Sequence, residues 1–180
     1  MNTPLWVTEL ANEFWMLAGG VGPFPRDLRR AALRAALLSV KVLADLSVQR
    51  VAAWLRDQGV ACLAGERERA LCACLFARGG CGFIFLDVAD DEAEQRFSLA
   101  HELAHYLRHY HEPRHRAVAK FGRQILDVFD GKRLPTPTER LHALLRNVRV
   151  GEHVHLLARD DRRRIASPAI AAAEVDADLL

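Results

Sequence analysis

Apolar and polar positions change period several times along this chain, and the changes mark its elements. From Pro4 to Gly20, "PLWVTELANEFWMLAGG" reads as an amphipathic helix. Pro4 suits its start, and Gly19-Gly20 suits its end. "FPRDLRRAALRAALLSVKVLADL" reads as a second helix, rich in alanine and leucine. Ser47 is a candidate cap for a short helix, "VQRVAAWLRDQ", closed by Gly59. Two helices meeting near Leu46-Ser47 raise the idea of a helix-turn-helix. The segment has no clear basic recognition face, and core packing explains its apolar positions.

The period then shortens. "GVACLAG" is a candidate strand, and "ALCACLFA" and "GFIFLDV" flank the turn signal "RGGC", which predicts a hairpin. Asp90 or Asp91 is placed to start a long helix that Pro113 would end. Residues 114–131 read as another helix and "KRLPTPT" as a loop. Thr138 is the candidate cap for "ERLHALLRN". "EHVHLLARD" reads as a strand, and "SPAIAAAEVDADLL" as a final helix with Ser167 as cap and Pro168 at its first position. The expectation is one α+β domain over residues 1–180, with helices around a small, mostly antiparallel sheet. Residues 1–58 form a helical N-terminal region.

Composition narrows the classes. The chain has 180 residues, half of them apolar, enough for a real core. Twenty-five basic and 23 acidic residues leave a net charge of +2, which gives no strong push toward nucleic acid. Glu9 and Glu13 interrupt the apolar N-terminus, which lacks the form of a signal peptide, and no apolar run is long enough to span a membrane. The expected compartment is the cytoplasm, with Cys62, Cys72, Cys74 and Cys81 as reduced thiols. Cys72, Cys74 and Cys81 have no nearby fourth partner for a second metal and read as small sheet residues.

The chemistry is concentrated in "RFSLAHELAHYLRHYHE", residues 96–112, which contains an H-E-x-x-H match at 101–105. On a helix, His101 and His105 share a face and can chelate one zinc ion. Glu102 lies beside them, where it can take the proton of an attacking water and pass it to a leaving amine. Phe97 and Ala104 share the face of His101. Ala100, Leu103 and Leu107 form an adjoining apolar stripe that would pack inward. A surface helix with scattered histidines is the bland alternative, and His109, His111 and His115 favour it. A half-buried histidine pair without a partner is costly, which weighs against it.

The third donor is the open question. His111 stands where the H-E-x-x-H-x-x-G-x-x-H pattern places its third histidine. That pattern needs glycine where this chain has Arg108, and a methionine downstream, whereas Met1 and Met16 are upstream. His111 is therefore rejected. Glu174 and Asp178, four residues apart in the last helix, allow Glu174 to bind the metal while Asp178 orients a histidine. A solvated acidic face explains the same two residues. His153 and His155 alternate on one strand face and can reach the cleft, though "HVH" also suits an ordinary strand.

"EQRFSLAHELAHYLRH" resembles the signature of the ImmA/IrrE-type metallopeptidases, in which Arg-Phe-Ser/Thr-Leu-Ala-His-Glu-Leu-Gly/Ala-His is typical. "GFIFLDVADDEAEQ" resembles the strand and helix entry before it, and "AEVDADLL" the family's downstream Glu-x-Glu-Ala-Asn/Asp stretch. The resemblance implies a zincin-like fold and one Zn2+ held by His101, His105 and Glu174, with Glu102 as general base and acid. It also implies a helix-turn-helix transcriptional repressor as substrate or partner, in a stress or mobile-element response. Direct nucleic-acid and membrane binding are not expected. Tyr106, His153 and His155 are candidates for the oxyanion donor or the cleft wall. Two departures from the family stand out. Residues 114–165 lengthen the connection from His105 to Glu174, and the family's last helix usually runs on beyond the equivalent of Leu180. The competing expectation is a non-catalytic metal-containing module that regulates a repressor by docking.

Overall fold

The two glycines of "RGGC" set the centre of the molecule. Gly79 and Gly80 have φ of 62° and 85°, the positive values a two-residue hairpin turn demands at both central positions. They join β2 (Leu71–Arg78) to β3 (Cys81–Asp87), antiparallel from Arg78 opposite Cys81. In this computed structural model β1 (Leu38–Leu43) pairs parallel with β3, and β4 (His153–Ala158) antiparallel with β2. The sheet order is β1-β3-β2-β4, so two of three pairings are antiparallel. Helices cover both faces, and the fold is α+β. The structure describes residues 4–60, 67–146, 153–158, 175 and 177. Cys62, Glu174, Asp178, most of "GVACLAG" and nearly all of the expected last helix lie outside them.

Helix α1 (Leu5–Leu17) follows Pro4 as expected. The expected second helix is shorter. Helix α2 (Leu28–Ala36) starts at Asp27, whose side chain accepts the Arg30 N–H, and stops where Leu37 turns left-handed at φ 51°. The next six residues are β1. Alternating Val40 and Val42 suit a strand, and pairing with β3 outweighs the helical bias of the preceding alanines. Because β1 separates α2 from α3 (Val48–Asp57), no helix-turn-helix exists there. Ser47 caps α3 by accepting the Arg50 N–H.

Helix α3 packs on one sheet face, where Val51 and Leu55 meet Cys74, Phe76 and Phe85. Cys74 is buried there, whereas Cys81 is exposed beside the hairpin turn. Helices α1, α2 and α4 (Glu92–His105) cover the other face. Asp91 starts α4 with a capping box: its carboxylate accepts the Glu94 N–H, and Glu94 accepts the Asp91 N–H. The inward stripe is Leu99, Leu103, Tyr106, Leu107 and Tyr110; Ala100, expected in it, is exposed.

Pro113 does not end this helix. After His105 the chain widens into a π-helix, Tyr106–His111, then continues as α5 (Glu112–Phe121) with Pro113 in its first turn. A proline has no N–H to give to the turn before it, and a first turn tolerates that loss. The expected 114–131 helix breaks at Gly122, with φ 77°. A 3-10 turn (Arg123–Ile125) and α6 (Leu126–Phe129) follow. Helix α7 (Pro137–Arg146) is capped by Thr136 rather than Thr138. Thr136 Oγ1 accepts the Glu139 N–H, with Pro137 at the first helical position.

Candidate metal centre

The centre lies where α4 crosses the sheet face that carries β4. His155 pairs with Leu75, and His153 with Ala77. Leu75 and Ala77 belong to the core beneath α4. Both histidines therefore face α4, since alternate residues of a strand share a side. From α4, His101, Glu102 and His105 meet them, with exposures of 5%, 0% and 2%.

His101 Nε2 and His105 Nε2 lie 3.1 Å apart, their rings 64° from coplanar. Two imidazole nitrogens on one tetrahedral ion, each roughly 2.0–2.1 Å from it, sit only a little farther apart. The pair thus fits a single metal ion. His101, His105 and His155 bring a ring nitrogen each within 4.8 Å of one another, a set that can hold a metal. Burial, reinforced by the neighbouring histidines His155, His101, His109 and His153, pushes the His105 pKa far below its usual value. His105 is therefore a neutral imidazole, the form that ligates a metal.

Two contacts surround this pair. The Nδ1 of His105 lies 3.2 Å from His109 Nδ1. One nitrogen of His105 thus faces His101 while the other is engaged by His109, the arrangement that fixes a ligating ring. The Nδ1 of His155 lies 2.9 and 3.1 Å from the two Glu102 carboxylate oxygens. Phe97, 57% exposed, stacks on the outer side of His101.

The other sequence candidates are placed as follows. Tyr106 is fully buried, and its hydroxyl donates to the Gly80 carbonyl at 3.0 Å. Burial pushes its pKa up. It anchors the hairpin turn rather than facing the cleft, and Tyr110 assists by accepting the Gly80 N–H at 2.8 Å. The ring of His153 lies 6.0 Å from that of Tyr110, toward the turn. His111 is carried out of the cluster by the continuing helix and lies against His115, with ring centroids 4.1 Å apart. Arg108, the residue that replaces the glycine, lies over Trp6 and pairs with Glu112 at 2.6 Å. The role of His109 was missed. Its signal is the four-residue step from His105, the same step that relates His105 to His101.

The fold and this cluster define an α+β domain with a metal-capable histidine site. Residues 75–160 match the family model of the IrrE N-terminal-like domain, a peptidase family. The likeness is to the ImmA/IrrE family, and the matched segment contains β3, α4, the π-helix and β4. No curated protein and no solved structure matches it. Among the described residues, no helix is long and apolar enough to cross a membrane.

Proposed function

We propose that this protein is a zinc-dependent endopeptidase acting on a helix-turn-helix transcriptional repressor. The observation that carries the reading is the pair of buried Nε2 atoms 3.1 Å apart with the fully buried Glu102 between them in sequence. The match to a peptidase family across the same residues supports it. His101 and His105 would hold the ion. On the family resemblance Glu174 is the third donor, with Asp178 orienting a ligating histidine. Bound there, zinc would supply Lewis-acid polarisation of the scissile carbonyl and of the attacking water.

The chain's own residues supply the rest. An ionised Glu102 carboxylate accepts a proton from the attacking water and returns it to the leaving amine nitrogen. The low exposure of His101, Glu102 and His105 excludes bulk water and strengthens each electrostatic contact. The repressor assignment rests on the family resemblance alone, and a cytoplasmic location on the form of the sequence.

The test is co-expression with candidate helix-turn-helix repressors, comparing wild type with Glu102→Gln. Wild type should cleave the repressor, and Glu102→Gln should not, while both retain zinc. Cleavage by Glu102→Gln refutes the role of the carboxylate. An intact repressor that co-purifies with zinc-loaded wild type favours a docking module instead.

A further inference from the structure

We infer that His155 is a positioning residue for Glu102 and not a ligand of the metal. This rests on the metallopeptidase reading but assigns a role to a residue that reading leaves open.

Proximity alone makes His155 a candidate ligand. Ring orientation decides otherwise. An imidazole binds a metal along the lone pair in its own plane, at roughly 2.0–2.1 Å. The His105 and His155 rings are stacked, with centroids 3.6 Å apart and planes 18° from parallel. Planes so nearly parallel meet far beyond that reach, so no ion can lie in both at bonding distance. The His101 and His105 planes, 64° apart, do converge. His155 is stacked on a ligand rather than directed at the position the ligands share.

Its Nδ1 has a different target. Glu102 is fully buried, and both its oxygens lie within 3.1 Å of that nitrogen. To act as a general base Glu102 has to be a carboxylate, which only accepts hydrogen bonds, so in that role Nδ1 is the donor. A buried carboxylate is costly unless paired, and His155 supplies the pairing from the sheet side. The contact fixes Glu102 about its side-chain torsions, because the donor is held on β4 while the acceptor rides on α4. Pairing of β4 with β2 is thus what aims the general base, across 53 residues of sequence.

The test uses the full chain, zinc alone as the metal probe, and two readouts. Zinc affinity by competition with a chromophoric chelator is measured for wild type, His155→Ala, His155→Asn and His105→Ala. In parallel, the Glu102 side-chain carboxyl carbon and the His155 ring nitrogens are followed by NMR in the metal-free protein. A positioning role leaves the zinc affinity of both His155 variants within about threefold of wild type, while His105→Ala loses it. It also gives a protonated His155 Nδ1 that shifts in Glu102→Gln. The Glu102 carboxyl resonance should move in His155→Ala and return toward wild type in His155→Asn, whose amide can donate from nearly the same place. A loss of zinc affinity of a hundredfold or more in both His155 variants would overturn the inference and leave the metallopeptidase standing. So would an unprotonated Nδ1, or a Glu102 carboxyl indifferent to both substitutions. Failure of wild type to bind zinc would instead sink the metallopeptidase reading, and the NMR arm would still judge the contact.

Discussion

His109→Ala should weaken metal binding without touching the metal. His105 faces His101 through Nε2 and His109 through Nδ1, the latter at 3.2 Å. Removing His109 leaves the His105 ring freer to rotate and exchanges a fixed neighbour for solvent. Loss of such a supporting contact typically costs 10–100-fold in metal affinity, or about 1.4–2.8 kcal/mol. His109 is only partly buried, so the stability of the metal-free fold should change by less, roughly 0.5 kcal/mol in the usual range for surface substitutions. The assay is competition for zinc against a chelator of known affinity, with thermal melting of the metal-free protein alongside. An affinity within threefold of wild type, at unchanged melting temperature, would refute the claim that His109 orients His105.

Other consequences reach the fold. A methyl group at Gly82 would lie 2.2 Å from the Phe76 carbonyl oxygen and 3.0 Å from the Ala77 Cα, both backbone atoms of the paired strand. Gly82→Ala should therefore lower the melting temperature by several degrees, from an overpacking cost of about 1–3 kcal/mol; an unchanged melt would contradict the register of β2 and β3. His111 is held down to about 4 by burial, with the charges of His115 and Arg114 adding to it. Its unfolded form takes up a proton first as pH falls, so stability should drop between about pH 6.5 and pH 4. Urea titrations across that window should show a shallower drop for His111→Gln, and an identical pH dependence would remove His111 as a contributor.

Local chemistry made the hairpin and the start of α4 readable. Gly79-Gly80 require one kind of turn, and Asp91 with Glu94 spell a cap. The pairing of His101 with His105 was readable for the same reason, since four residues on a helix return to one face. What failed was decided by distant partners. Leu38–Leu43 follows an alanine-rich helix with no glycine or proline between them, and only β3 makes it a strand. The π-helix gives no pattern of apolar residues to read, and Pro113 looked like a stop because the turn before it was assumed regular. "HVH" announced a strand with two histidines on one side. Which side faced Glu102 was set by the pairing of β4 with β2.

The most direct measurement is the zinc content of the full chain purified without chelator, compared with that of His101→Ala and His105→Ala. One zinc per chain in wild type, lost in both variants, is the expected result. Wild type with no bound metal, or zinc retained after either histidine is removed, would contradict a metal centre built on this helix.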